Sequence, residues 1–269
     1  MRHRTRRLSS RPRSAAGGIA VAAVALLGLT GLAGPFPTKA DPVPVAENAD
    51  AELAKLDTLA IKGRAPKTGY SRAQFGEAWS DDVTVPDGHN GCNTRNDILR
   101  RDLVDVETKP GTNGCIVLSG VLNDPYTGTT IDFHRGRGTS RDVQIDHVVA
   151  LSNAWQTGAQ QWDEPTRRNF ANDPMNLQAT DGPINQQKGD GDAATWLPPN
   201  KSYRCTYVSR MVDVKAAYGL WVTPAEHDAI ARVLTSGCGP ASAPEPPPPP
   251  PQEPGQPPLP SPGPPPGEG

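Results

Sequence analysis

The chain has 269 residues with 31 prolines, 27 glycines and four cysteines, and its net charge is −2. Residues 41–269 alone have nine more acidic than basic side chains, because six arginines lie in the first 13 residues. This balance excludes a basic protein that coats DNA, and the presence of only one long apolar run excludes a polytopic membrane protein.

Residues 1–40 have the pattern of a secretory signal peptide. Arginines precede an apolar run from Ile19 to Leu32, which is short for a membrane span, and Thr38-Lys39-Ala40 is a weak cleavage site. An uncleaved N-terminal anchor is the alternative. Either way, the sequence predicts that the rest of the chain is secreted or associated with the cell envelope, outside the cytoplasm.

The middle of the chain predicts an α+β fold, a mostly helical domain around a small antiparallel β element. Apolar spacing predicts helices over residues 47–61, 74–79, 94–103, 153–159, 166–170 and 203–218. Strands are predicted over residues 116–122, 129–133 and 143–147. The last helix begins with a capping box, because Thr223 stands at the N-cap and Glu226 at N3. We therefore divide the chain into a signal (1–40), a helical segment with a linker (41–69), a folded domain (70–239) and a tail (240–269).

Four cysteines in an exported chain predict two disulfides. Three pairings are open, and we favour Cys92 with Cys115 and Cys205 with Cys238, because each pair brackets one local segment. No two cysteines have Cys-x-x-Cys spacing, which disfavours a structural zinc site.

Residues 240–269 contain 16 of the 31 prolines and few apolar side chains. Such a segment cannot bury apolar area, so we predict a disordered proline-rich tail with extended polyproline II conformation. A spacer through the cell envelope is one interpretation. A plain disordered tail is the other.

Asp146 and His147 differ from the other candidate residues because they end the strand predicted over residues 143–147. A carboxylate is a hard oxygen ligand for a divalent metal, and a neutral imidazole accepts a proton from water near neutral pH. Neighbouring strand residues point to opposite faces, so the two share a site only where the strand ends, twists or bulges. Taken alone, the pair is better explained as a surface aspartate beside a half-buried histidine.

A second polar cluster lies downstream of this pair. Asn176 precedes Leu177, and a helix predicted to begin near Pro183 has Asn185 and Lys188 on one face. Asn185 offers a carbonyl oxygen, and Lys188 offers a cation for a phosphate. Each asparagine taken alone is more typical of a turn.

The order of these residues resembles the HNH (ββα-metal) nucleases. It is most similar to the exported actinobacterial HNH endonuclease family, whose nuclease domain is related to the C-terminal domain of the restriction enzyme GmrSD. The resemblance covers residues 70–238 and includes the stretches Gly-Cys-Asn-Thr-Arg-Asn-Asp (91–97), Trp-Gln-Thr-Gly-Ala (155–159), Phe-Ala-Asn-Asp-Pro (170–174) and Trp-Leu-Pro-Pro (196–199).

The resemblance implies a ββα-metal (HNH) core in an endonuclease domain over residues 70–239. By that resemblance His147 is the general base, and Asp146 and Asn185 hold one divalent metal ion, with Mg²⁺ as first choice and Mn²⁺ or another ion as alternatives. Asn176 would orient His147 through backbone contacts, and Lys188 would assist at the phosphate. The insert between His147 and Asn176 is long for the family, so the resemblance does not define the helices within it.

The predicted partner is nucleic acid, with DNA as first choice and RNA as the alternative, and no obligate protein partner is predicted. Residues 41–134 have a net charge of −6, and residues 135–239 are neutral. Because binding to phosphates needs positive charge, we assign Arg135, Arg137 and Arg141 of a basic loop to nucleic-acid binding, with a solvated mixed-charge surface as the alternative. Nothing in the sequence indicates direct reading of bases, so we expect little sequence specificity.

Two functions remain open on the sequence alone. The first is a secreted metal-dependent endonuclease that hydrolyses phosphodiester bonds, and the complete set Asp146, His147, Asn176 and Asn185 favours it. The second is a non-catalytic cell-envelope or nucleic-acid-binding protein that retains an HNH scaffold, and the acidic first half and proline-rich tail favour it. A hydrolase of another class has no support, because no Gly-x-Ser-x-Gly motif is present.

Overall fold

A computed structural model of the chain describes residues 49–238. The predicted signal (1–40), residues 41–48 and the predicted tail (240–269) lie outside the described residues. Among the described residues, no helix is both long enough and apolar enough to span a membrane.

The described part of the chain forms an α+β fold in which helices surround two small antiparallel sheets. The helices are α1 (Ala49–Asp57), α2 (Thr94–Asp102), α3 (Leu151–Gln156), α4 (Glu164–Asn172), α5 (Gly182–Lys188), α6 (Arg204–Ala217) and α7 (Pro224–Gly237). Short 3-10 turns join them, and one of these, Arg72–Phe75, packs against α3 and α4. The α7 capping box predicted at Thr223 and Glu226 is present.

The β structure consists of two separate sheets rather than one small element. Strands β1 (Leu103–Thr108), β2 (Val117–Asn123) and β3 (Thr130–His134) form an antiparallel sheet in sequence order. Strands β4 (Val143–His147) and β5 (Leu177–Asp181) form an antiparallel pair, in which Asp146 lies opposite Gln178 and His147 opposite Leu177. The second sheet therefore brings the Asp146-His147 pair next to the residues that follow Asn176.

The turn from β5 into α5 is fixed by local chemistry. Asp181 caps α5, because its Oδ1 accepts a hydrogen bond from the Ile184 amide at 2.8 Å. Gly182 begins the helix in close contact with the start of β4, where a Cβ atom would lie 2.1 Å from the Arg141 carbonyl oxygen. Only glycine fits such an approach. The unit β4–β5–α5 is thus held in one arrangement, and it contributes residues to the candidate site.

Two hydrophobic clusters include or contact residues of this unit. One lies among α2 and all five strands and includes Leu99, Phe133 and Leu177. The other lies among α1, α3, α4, α6 and α7 and includes Phe170 and Tyr207. The residues that follow β4 pass from the first cluster into the second, so the end of β4 lies at the junction of the two.

Two disulfides close local segments of the fold. Cys92 is joined to Cys115, and Cys205 is joined to Cys238. These are the two pairings that the local spacing favoured, and no described cysteine is free. The first disulfide ties the start of α2 to the start of β2, and the second ties the start of α6 to the end of α7.

Candidate functional site

Asp146 and His147 line one cavity although they are neighbours on a strand. Both residues border a cavity of about 320 Å³, which we call the polar cavity. This is possible because β4 ends at His147, where the alternation of side-chain faces also ends. Asn185 of α5 lines the same cavity. The structure therefore brings together the base and the two metal ligands that the sequence predicted.

His147 is held by a backbone carbonyl at its buried side. Its Nε2 lies 2.9 Å from the Ala171 carbonyl oxygen at the end of α4. A carbonyl oxygen only accepts hydrogen bonds, so Nε2 must have the proton and Nδ1 must be the basic nitrogen of the neutral ring. The pKa of His147 is lowered to about 3, chiefly by burial and also by the positive charges of Arg72 and Lys188, while the hydrogen bond to Ala171 opposes the shift. The imidazole is therefore neutral near neutral pH.

Asn176 fixes the backbone that follows His147. Its carbonyl oxygen accepts from the Val148 amide and its Oδ1 accepts from the Val149 amide, both at 2.8 Å. Its Nδ2 lies 3.3 Å from the Val149 carbonyl oxygen, which closes a two-way contact between side chain and backbone. Because Asn176 is fully buried, it orients His147 through the backbone and does not reach the cavity.

The Asp146 carboxylate is held by two buried donors. Lys188 Nζ lies 2.9 Å from Asp146 Oδ1, and the Tyr126 hydroxyl lies 2.7 Å from Asp146 Oδ2. The same ammonium donates to the His147 carbonyl oxygen at 2.8 Å. This differs from the expectation that Lys188 assists at a phosphate, because its side chain is wholly buried and its hydrogen bonds are directed at the two site residues.

The oxygen atoms that Asp146 and Asn185 offer as ligands at the polar cavity fit a hard divalent cation. Asp146 keeps a second lone pair on each carboxylate oxygen, since each oxygen accepts one hydrogen bond in the structure. Asn185 donates its Nδ2 to Gln144 Oε1 at 3.0 Å, which directs its Oδ1 away from that contact. Among residues 49–238 no group of three or more His, Cys, Asp and Glu side chains is placed to hold an ion. A cation bound here would therefore have few protein ligands, and water and substrate oxygens would have to complete its coordination.

A second cavity, of about 130 Å³, lies on the other side of His147. We call it the aromatic cavity, because Phe75 and Trp79 line it together with Arg72, Leu151 and Asn172. The Trp79 and His147 rings are nearly parallel, at an angle of 14° and with their centroids 6.0 Å apart. His147, Arg72 and Leu151 line both cavities, so these three residues form the border between them.

The structure does not bring the three predicted nucleic-acid-binding arginines into either cavity. They precede β4 in the chain, at the opposite end of that strand from His147, and none of them lines either cavity. Arg135 is engaged in the fold, because its guanidinium donates to the Val117 carbonyl at 2.5 Å and to Asn96 Oδ1 at 2.6 Å. Arg137 and Arg141 are exposed on the loop.

Two cationic side chains at the cavities, Arg72 and Lys67, were not predicted from the sequence. Arg72 is exposed at the border of the cavities, and Lys67 lines the polar cavity, where its Nζ lies 2.9 Å from Asp190 Oδ2. Both residues come from the segment before the Asp-His motif and reach it only through the tertiary fold. Tyr126, which holds Asp146, was missed for the same reason. No local pattern in the sequence indicates any of these three contacts.

Comparison with known proteins identifies a family for most of the folded part. The family described as GmrSD restriction endonucleases, C-terminal domain, matches residues 93–233. An uncharacterized secreted protein of the fungus Arthroderma benhamiae is 38% identical over 215 residues, which cover 78% of this chain and 96% of the relative. Because this relative is fungal, it gives no support to a specifically actinobacterial family. No solved structure matches the chain.

The location predicted from the N-terminus is confirmed. The relative is a secreted protein, and the two disulfides are typical of proteins that fold in an oxidising compartment. The protein is therefore secreted or associated with the cell envelope.

Proposed function

The chain belongs to the family of the C-terminal domain of GmrSD restriction endonucleases, and we propose on this basis that it is a secreted HNH-type endonuclease. The proposed reaction is metal-dependent hydrolysis of phosphodiester bonds with little sequence specificity, with DNA as the first choice of substrate and RNA as the alternative. The family supports a nuclease-like domain. The metal dependence and the HNH chemistry are the parts that we propose.

The observation that supports the proposal most directly is the arrangement around His147. Its Nε2 is fixed by the Ala171 carbonyl, which leaves Nδ1 as the base, and the ring borders the cavity that Asp146 and Asn185 also line. A strand that ends in Asp-His, a second antiparallel strand and a following helix with Asn185 form a ββα unit. This is the order of elements that the resemblance to HNH nucleases implies.

In the proposed mechanism, the residues of the chain divide into those that act on water and those that hold the site. His147 Nδ1 accepts a proton from the attacking water, and the Ala171 carbonyl stabilises the imidazolium that forms. Asn176 keeps the backbone around His147 in place. Arg72, which borders both cavities, is the exposed cation that binds the substrate phosphate.

Asp146 and Asn185 are the residues that would hold the metal ion, with Mg²⁺ as first choice. A divalent cation at these oxygens supplies stabilisation of the negative charge on the phosphate and the leaving oxygen. Lys188 and Tyr126 hold the Asp146 carboxylate in one orientation. Lys188 therefore acts through Asp146 rather than on the phosphate.

One observation favours the second candidate function, a nucleic-acid-binding protein without catalysis. Lys188 is buried against Asp146, and its ammonium offsets the charge that would attract a cation. A protein that keeps this ion pair closed in the presence of nucleic acid would bind its ligand without cleaving it.

The test is cleavage of a supercoiled plasmid and of single-stranded DNA and RNA by the full secreted chain with its disulfides intact. We expect cleavage with Mg²⁺ or Mn²⁺, no cleavage with EDTA, and loss of cleavage by at least about 100-fold in His147→Ala. His134→Ala is the matched control, because His134 is exposed on β3 and lines neither cavity. Cleavage that persists in EDTA or in His147→Ala would overturn the proposal. Binding of nucleic acid without cleavage under any metal ion would establish the second function instead.

A further inference from the structure

The proposed reaction uses the polar cavity and leaves the aromatic cavity without a role. Metal ligands and a bound phosphate belong to the side with Asp146 and Asn185. The aromatic cavity is a separate space on the other side of the His147 ring, and its wall is mostly apolar. When Arg72 and His147 hold the substrate strand, one group of the strand next to the bound phosphate therefore lies within reach of the aromatic cavity.

Trp79 lines this cavity with a partly exposed ring. The ring is nearly parallel to that of His147, and the buried Phe75 lines the same cavity. The backbone at Trp79 has a φ of 60°, which is uncommon for a bulky residue. The Trp79 carbonyl oxygen accepts a hydrogen bond from the Thr94 amide at 3.2 Å, which ties this loop to the start of α2. The ring therefore packs against the cluster of α2 and the strands and also lines the cavity.

We propose that the aromatic cavity binds one nucleobase of the substrate, next to the phosphate that is cleaved. This inference rests on the proposed function and names its substrate class as single-stranded or locally unpaired nucleic acid. Every base has a π-face that stacks on an aromatic side chain, whatever the base. A base can enter such a cavity only after it has left the base stack of a duplex.

The charges around the cavity favour a nucleotide over an apolar peptide or lipid group. Arg72 is exposed at the border and places a guanidinium between the space for a base and the space for its phosphate. Glu77 is the acidic side chain among the lining residues, and its carboxylate can accept a hydrogen bond from a base but not from an acyl chain. A nucleotide is the ligand that combines a flat apolar ring with an adjoining anion.

The test measures binding in EDTA, so that its result does not depend on cleavage. Short single-stranded oligonucleotides with one abasic position, scanned along the strand, are bound to the full secreted protein and followed by fluorescence anisotropy. We expect one abasic position to weaken binding by about 10-fold or more, and a duplex to bind at least about 10-fold more weakly than the single strand.

Variants at Trp79 show whether the base contacts this ring. In Trp79→Ala the intact strand should bind about 10-fold more weakly, and the abasic position should cause no further loss. Trp79→Phe should keep most of the affinity and the abasic effect. Trp221→Phe is the control, because Trp221 lines neither cavity.

Three results would overturn the inference. The first is an equal loss in Trp79→Ala for intact and abasic strands, which would show a purely structural effect on His147. The second is equal binding of duplex and single strand. The third is a change in the fluorescence of Trp79 when residues 240–269 are removed, with no change when nucleotides are added. That result would assign the cavity to the proline-rich tail. Base-dependent binding without any metal-dependent cleavage would instead leave this inference standing and overturn the proposed function.

Discussion

Two lysines of the described chain are wholly buried against a carboxylate, and the comparison between them separates support of the fold from support of the site. Lys215 lies in the helical core, where Glu226 is 3.0 Å from its ammonium and the Trp221 carbonyl oxygen also accepts from it at 3.0 Å. Lys188 lies beneath the polar cavity and is shared between Asp146 and the His147 carbonyl. Burial of an ion pair costs desolvation energy, so neither pair is explained by stability alone. We infer that Lys215 fixes α6 against α7, and that Lys188 fixes Asp146 at the edge of a cavity.

The largest expected effect is on the core pair. Lys215→Met should lower the free energy of unfolding by about 3–5 kcal/mol, because it leaves the Glu226 carboxylate buried without its partner. Denaturation in guanidinium chloride measures this loss. Lys55→Met is the matched control, since Lys55 pairs with Glu52 and Asp213 at the surface and its loss should cost less than about 1 kcal/mol. Equal losses in the two variants would contradict the structural role of Lys215.

The ion pair between Lys188 and Asp146 should contribute less to stability than the core pair does. Its loss should also change how strongly the protein binds a divalent metal ion. Lys188→Met should cost about 1–3 kcal/mol, because Asp146 keeps the hydrogen bond from Tyr126 and borders a cavity. The freed carboxylate should bind Mg²⁺ or Mn²⁺ more tightly, so the thermal midpoint of this variant should rise more with metal than that of the unchanged protein. Lys215→Met should show no such gain. A metal response that is the same in both variants would remove the distinction between the two lysines.

The helical side also predicts a response to alkaline pH. Burial raises the pKa of Tyr218 well above its ordinary value of 10.0, and the hydrogen bond of 2.7 Å to Asp173 adds to the shift. The folded state keeps this proton where the unfolded chain has lost it. The stabilisation is therefore complete below pH 10 and falls above it, by less than about 1.4 kcal/mol per pH unit because solvent screens the partly exposed side chain. Tyr218→Phe should reduce the slope of unfolding free energy against pH by that amount, and an unchanged slope would contradict the assignment.

The smallest expected effects are on kcat/KM, and they distinguish Arg72 at the cavities from Arg137 on the basic loop. Arg72→Ala should lower kcat/KM by about 10-fold and reduce its salt dependence, because a guanidinium at the border of both cavities is lost. Arg137→Ala should change kcat/KM by less than about 2-fold, since the loop lies at the other end of β4. Rates at several salt concentrations measure both. A larger loss at Arg137 than at Arg72 would return nucleic-acid binding to the loop predicted from the sequence.

The elements that sequence reasoning predicted well are those that local chemistry determines. The strand over residues 143–147 was predicted with its bounds, and the capping box predicted at Thr223 is present. Strands β1 and β5 were not predicted. β5 has only Leu177 and Ala179 as apolar residues, and it forms a strand because β4 is available to pair with it.

The candidate site also combines features that the local sequence determines with features that depend on tertiary packing. Adjacent Asp146 and His147 are recognisable as a pair, and the spacing of Asn185 and Lys188 on a helix is a local pattern. The burial of Lys188 and the approach of Arg72 depend on how distant segments pack. The Ala171 carbonyl that selects the His147 tautomer is a backbone group, which no choice of side chain marks in advance.

The disulfide between Cys205 and Cys238 has a mechanical consequence. Cys238 follows directly on α7, and its bond to Cys205 leads to the start of α6. A pulling force applied to the chain beyond Cys238 is therefore transmitted through a covalent bond into α6. Without this bond the same force would detach α7 turn by turn from its end. If the tail attaches the protein to a cell wall or another surface, the load therefore enters the folded part through α6 as well as through α7.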